Sequence, residues 1–195
     1  MSPDRASSQQ TRRELLDATV SCLAESGYGQ LSTRAVAERA GVPVSQIHYH
    51  FGGKDGLLLD VLGHQNRQLL DRQRAMYASD LPLWKRWELA CDYLEEDLAS
   101  GYVRVLQELI AVGWSDEAVA AVVREQLQAW ADLLTAVAEG SAPSLAPLTP
   151  RQLGVLVGCA FLGAEELALL DLDGPLEVVD ALRAVGELIR RAEEG

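Results

Sequence analysis

Three histidines carry the widest chemical reach in this chain: His48, His50 and His64. His48-x-His50 has the look of a metal pair. On a helix, however, residues two apart point to nearly opposite sides, so the two rings cannot chelate one ion. The carboxylate clusters Glu95-Glu96-Asp97 and Glu165-Glu166 have no histidine or nucleophile near them in sequence. They read as solvated helix faces. Cys22, Cys91 and Cys159 are far apart, each inside a helical apolar pattern. They read as buried free thiols of a reducing compartment, with redox sensing the minor alternative. There is no phosphate-cradling glycine loop and no nucleophile-elbow serine motif. The chain is therefore expected to have no catalytic residues, no metal and no cofactor, and not to be an enzyme.

A different chemistry is offered by Leu31 to Lys54, LSTRAVAERAGVPVSQIHYHFGGK. Ser32 or Thr33 can cap a helix start, because a hydroxyl accepts from an orphan backbone N–H. Val36, Ala37 and Ala40 make a short apolar face. Gly41 suits the left-handed residue that ends a helix, and Pro43 suits the entry to the next. A second helix over about Val44 to Phe51 puts Ile47 and Phe51 on one buried face. Ser45, Gln46, Tyr49 and His50 are left on the others. Two short helices around a glycine-containing turn describe a helix-turn-helix, whose second helix enters the DNA major groove. A pair of packed helices without a partner would show the same spacing.

The residues go further than the spacing. From Thr11 to about Leu62 the chain resembles the N-terminal DNA-binding domain of the TetR family of transcriptional regulators. LLDATVSCLAESGY, LSTRAVAERAGV and IHYHFGGKDGLL carry the likeness over roughly the first third of the chain. The resemblance implies that Thr33, Tyr49, His50 and Lys54 mainly hold phosphates. Arg34, Val44, Ser45, Gln46 and His48 become candidates for base edges, with Gln46 suited to adenine and Arg34 to guanine. Thr11, Arg12 and Arg13 stand where the first helix would meet the DNA backbone. His48 replaces a frequent tyrosine and Val44 a frequent polar residue, which moves base readout towards a thymine methyl contact. Lys54 opens a helix, where a cation is disfavoured by the dipole. A phosphate bound at that terminus would explain it.

Charge agrees with a local DNA contact. The 195 residues carry a net charge of −12, but residues 1–54 hold six basic and five acidic side chains, while the remainder holds eleven against twenty-four. A near-neutral head on an acidic body meets a polyanion in one orientation only. The longest uncharged apolar run, Leu153 to Ala164, is short for a membrane span. A cytoplasmic protein without a membrane partner is expected.

Periodicity predicts an all-α protein of about nine helices. Residues 1–10 read as a flexible tail. A helix-turn-helix DNA-binding domain follows over 11–55, with its motif at 32–51, and runs into a fourth helix as far as about 69. An effector-binding and dimerisation domain occupies 56–195. After the helix that starts at Lys54, further helices are expected at roughly 82–99, 102–113, 116–139, 149–170 and 175–193. Asp80 is the expected cap for the helix at 82. The linker-like stretch is GSAPSLAPLTP, Gly140 to Pro150.

Aromatic residues concentrate in the middle of the chain. Helix bundles take ligands between helices in apolar pockets with few polar groups. Trp87, Cys91, Leu94, Leu106, Gln107, Ile110, Trp114, Trp130 and Phe161 are the candidate lining for a largely apolar small-molecule effector. Glu108 and Glu165 are further polar candidates, and ordinary core packing accounts for each residue singly. By resemblance, the last two long helices pair with their copies in a homodimer. Gly154, Gly158, Val178, Leu182, Val185 and Ile189 are the expected interface, with intramolecular closure as the alternative. A dimer suits a palindromic operator, since one recognition helix reads few bases.

Overall fold

Leucine and alanine fill the apolar stripes of this chain, and helices are what they build. The computed structural model describes residues 3–141 and 147–194, and no strand occurs among them. Ten α-helices follow in order. The first four are α1 (Pro3–Ser26), α2 (Thr33–Ala40), α3 (Ser45–Phe51) and α4 (Lys54–Tyr77). The middle three are α5 (Leu83–Ser100), α6 (Tyr102–Gly113) and α7 (Glu117–Ser141). The last three are α8 (Pro150–Leu169), a one-turn α9 (Asp173–Leu176) and α10 (Val178–Glu194). Residues 142–146 of the expected Gly140–Pro150 loop lie outside the described residues, as do Met1, Ser2 and Gly195.

The chain divides into two compact units. The first takes residues 1–66 and 99–122, and the second takes 67–98 and 123–195. α6 therefore packs with the head, although the sequence assigned it to the carboxy-terminal domain.

In the first unit one side of α1 is buried as a set: Leu15, Leu16, Thr19, Cys22 and Leu23. Thr19 keeps its hydroxyl satisfied by donating to the Leu15 carbonyl at 2.6 Å. Buried in the same unit are Leu31, Val36, Ile47, Leu57, Leu58, Val61 and Leu62, with Val103 and Leu106 of α6. One expectation changes at the start. α1 begins at Pro3 rather than Thr11, so residues 3–10 extend the helix instead of forming a tail.

The second unit is built around Met76, Trp87, Cys91, Leu94, Phe161, Ala164, Val179 and Leu182. Trp87 donates its indole N–H to the Leu182 carbonyl at 2.6 Å. Trp130 donates to Oε1 of the buried Gln73 at 2.9 Å. Both rings meet Phe161 edge-on, at centroid distances of 5.5 and 6.4 Å. Buried tryptophan usually finds such a partner for its polar edge.

Two helix ends differ from expectation. α5 is not capped by Asp80. The Glu193 carboxylate instead accepts from the N–H groups of Leu83 and Trp84, at 3.0 and 3.2 Å. Pro82 just ahead has no N–H to offer. The last expected helix, 175–193, is broken by Glu177 in the left-handed region at φ 52°. α10 starts after it, with Asp173 accepting from the Val179 N–H at 2.9 Å. The start of α8 follows its sequence: Thr149 and Gln152 form a reciprocal capping box ahead of Pro150.

α8 spans 20 residues and is apolar enough, by length and composition alone, to cross a membrane. The run read as too short thus passes that test once its flanks join it. Within the unit, Gly154, Gly158, Phe161, Ala164 and Glu165 are buried.

Candidate nucleic-acid interface

α2 and α3 are held at a fixed angle by their turn. Ser32 accepts from the Ala35 N–H at 3.2 Å and caps α2. Gly41 sits at φ 68°, and its N–H with that of Val42 closes onto the Glu38 and Ala37 carbonyls at 3.2 and 3.0 Å. This doubly bonded glycine end satisfies carbonyls that would otherwise be orphaned. α3 then buries Ile47 and Phe51 against the unit core. Ser45 and His48 face solvent, and Gln46 is half-buried. Tyr49 is 77% exposed. Val44, the residue ahead of α3, is 36% exposed and makes no side-chain cap bond. His50 is half-buried and stacks edge-on to Tyr49 at 4.9 Å.

The extended α1 adds to this face. Ser7, Ser8 and Thr11 line an open groove with Val42, Pro43, Gln46 and Tyr49. Among the described residues its polar lining is hydroxyl and amide, suited to phosphate and sugar oxygens. Ser7 and Ser8 escaped the sequence reading because they were assigned to a tail. A helix continuing back from Thr11 was the missing signal.

The cations are not equivalent. Arg34 is exposed. Arg12 turns inwards: it pairs with Asp60 of α4 at 2.6 Å and lies over the Phe51 ring at 5.2 Å. It braces α3 against α4, and Arg13 is the exposed member of the pair. Arg39 ties α2 to α1 through Glu25. Lys54 is half-buried at the first position of α4, behind the break at Gly52-Gly53. Glu108 of α6 faces it electrostatically. Burial pushes the Glu108 carboxyl up from the ordinary range, while Arg104 and Lys54 pull it back. One Glu108 oxygen is buried without a hydrogen-bond partner. The sequence had offered Glu108 to an effector pocket, but its charge belongs to the head.

Comparison with known proteins places this head. Residues 15–61 match the family model described as bacterial regulatory proteins, tetR family. Over those residues the head is similar to the DNA-binding head of the TetR family. The chain is 38% identical over 58 residues to the HTH-type transcriptional regulator BetI of Brucella anthropi, which is 30% of each chain. The match thus spans about a third of that relative. The whole fold resembles a TetR transcription regulator from Haloarcula marismortui, at a TM-score of 0.76 and 21% identity over 94% of this chain and 98% of that one. It also resembles a transcriptional regulator from Saccharomonospora viridis crystallised with choline, at 0.75 and 18% over 92% and 94%. At those identities the likeness is one of fold.

The residues proposed for an effector pocket divide between the two units. Leu106, Gln107, Ile110 and Trp114 fall in the first unit, and Trp87, Cys91, Leu94, Trp130 and Phe161 in the second. Trp114 is 84% exposed. Of the second set, Trp87 lines a cavity there, beside Tyr77, Leu134, Val157 and Val185.

The residues proposed for the dimer interface turn inwards. A Cβ on Gly154 would come within 2.8 Å of the Thr135 backbone nitrogen, so the close approach it permits is to α7 of the same chain. Gly158 lies against Trp130 and Leu134. Leu182 is in the core, with Val178, Val185 and Ile189 packed on it. The outward stripe is one step round each helix. On α8 it is Val155, Leu156, Cys159 and Ala160, and on α10 it is Ala181, Ala184 and Leu188. Cys159 is accordingly exposed, against the reading of three buried thiols, while Cys22 and Cys91 are buried. Burial pushes the Cys91 thiol up to about 11, which leaves it inert. Among the described residues no cluster of three or more His, Cys, Asp or Glu could hold a metal.

Proposed function

We propose that this protein is a homodimeric transcriptional repressor, which binds a palindromic operator and leaves it when a small-molecule effector binds. The observation that carries the reading is α3. Its inner face is locked by Ile47 and Phe51, while Ser45, Gln46, His48 and Tyr49 stand along its outer side. An α-helix so presented fits the major groove. Thr33, Tyr49, His50 and Lys54 set its register on phosphates, joined by the hydroxyls of Ser7, Ser8 and Thr11. Arg34, Val44, Ser45, Gln46 and His48 read bases.

The dimer is supported by the outward stripe of α8 and α10. Leu156 and Leu188 are 53% and 63% exposed, large apolar side chains on adjoining helices of one unit. Two copies of such a stripe bury one another about a two-fold axis. Two heads then read half-sites about one helical turn apart or slightly more. Effector binding works if it favours one separation of the heads over the other, with coupling of about 1–3 kcal/mol. The working place of such a protein is the cytoplasm.

The test is selection of bound DNA from a fragmented genome or a random pool with the purified full chain. A palindrome with fixed half-site spacing is the expected outcome. Sequence-independent recovery would overturn the reading. An activator with the same head is separated by a reporter driven from the recovered site: loss of the protein should raise, not lower, expression.

A further inference from the structure

We propose that the second unit holds a binding site for a compact, uncharged, largely hydrocarbon molecule of about one aromatic ring. This deepens the effector reading above and rests on it for its regulatory meaning.

The site is a cavity of about 180 Å³, walled by the end of α4, the start of α5, and parts of α7, α8 and α10. Its size is the first argument. Drug-sized ligands occupy pockets of roughly 300–1,000 Å³. An apolar cavity of about 150 Å³ in another protein stays dry and takes benzene. At about 180 Å³ this cavity accepts a ring with a small substituent, and a long acyl chain or a nucleotide does not fit inside it.

Its lining is the second argument. Among the described residues no charged side chain lines it: Leu134, Val157, Val185 and Ile189 stand in its wall, and Tyr77 and Trp87 supply the only polar side-chain atoms. The Trp87 N–H is already committed to the Leu182 carbonyl at 2.6 Å. Burial pushes the Tyr77 phenol up to about 12, so it stays protonated in neutral solution. A carboxylate or ammonium entering here would shed its hydration and meet no countercharge. A hydrocarbon loses nothing of the kind, and a ligand hydroxyl has one phenol to meet.

The walls at one end are close-set. Gly154, also in the lining, approaches the α7 backbone so tightly that its missing Cβ would be 2.8 Å from the Thr135 nitrogen. That proximity limits growth of the cavity in this direction and favours a compact ligand over an extended one.

The experiment titrates the full-length protein with toluene, indole, choline and octanoate, following tryptophan fluorescence and melting temperature. Toluene and indole should bind saturably and raise the melting temperature, and choline and octanoate should do neither. Because Tyr77 and Trp87 are both aromatic, choline is the sharp control: binding of choline in place of toluene would mean a cation–aromatic site and would sink the proposal. Ala138→Leu, from the α7 wall, and Val157→Phe, from α8, fill the space and should each weaken toluene at least tenfold. Should one of them fold poorly, the other makes the comparison. Toluene binding that survives filling, or is absent from the wild-type protein, overturns the site. DNA selection on the same preparation is read separately. Specific DNA binding without toluene binding defeats this site alone, and the converse defeats the regulator reading alone.

Discussion

The DNA contacts proposed for Lys54 and Gln46 differ in kind, and substitution separates them. A phosphate contact is blind to sequence. Lys54→Ala should therefore weaken binding about equally for all sequences and lower the slope of log affinity against log salt by about 1. Gln46→Ala should relax preference at one base step, costing about 1–3 kcal/mol there and little elsewhere. Fluorescence anisotropy against a panel of operator variants distinguishes the two, and a uniform loss from Gln46→Ala would remove it from base readout. Glu108 works against Lys54. Its carboxyl is pushed up chiefly by burial. Folding therefore disfavours its ionised form, and stability falls as pH rises from the unfolded value of 4.5 through the raised folded one. Above that window the penalty is constant. Glu108→Gln should lift thermal stability at pH 7, flatten the acid side of its pH profile and strengthen DNA binding modestly by unmasking Lys54. A variant less stable than the parent at pH 7 would show the carboxylate to be a needed partner of Arg104 and Lys54.

Junctions between elements are where substitutions should hurt most. A Cβ at Gly56, in the first turn of α4, would lie 1.9 Å from the Phe51 carbonyl oxygen. Backbone cannot yield as a flexible side chain does, so α3 and α4 must separate to admit even a methyl group. Gly56→Ala should cost about 1–3 kcal/mol, as overpacking does, and reduce DNA affinity with it. Urea unfolding and anisotropy measure the two, and an unchanged midpoint would show that the junction can relax. The second junction is Glu193 on the start of α5. It supplies both a cap and a negative charge to a helix N-terminus. Glu193→Ala should destabilise the second unit by about 0.5–2 kcal/mol. Glu193→Gln should recover part of this, since the amide oxygen still accepts while the charge is gone.

The assembled molecule is tested through the outward stripe. Leu156→Glu places a charge at the centre of the proposed two-fold contact and should yield a monomer in sedimentation while leaving the helical spectrum intact. Operator affinity should fall at least tenfold, because each head then binds alone. Cys159 gives a second view of the same face: it should resist alkylation in the parent at concentrations where it dimerises and react in the Leu156→Glu monomer. A wild-type protein that sediments as a monomer and alkylates at once would leave the stripe without its proposed partner. Cys91, with its thiol pushed up to about 11, should stay unmodified in both.

Local pattern by itself determined the all-α class, the turn between α2 and α3 and the buried face of α3. Those depend on residues within a few positions of one another: a capping hydroxyl at Ser32, a left-handed glycine at Gly41, and Ile47 with Phe51 one turn apart. The family motif lies in the same stretch for the same reason, since a reading head must be rigid locally. What only the tertiary structure decided is which side of each later stripe faces inwards. On α8 nearly every side of the helix is apolar or small, so periodicity could not say that Gly154 turns into the chain and Leu156 out of it; on α10 charged residues mark the polar side, yet Leu188 still stands outside the buried set that holds Leu182. Distance in sequence hid the rest. Glu193 reaches α5 across 110 residues, Glu108 comes to face Lys54 from another helix, and the cavity gathers five separate helices. Such meetings are settled by how helices pack, and no window along the chain contains them.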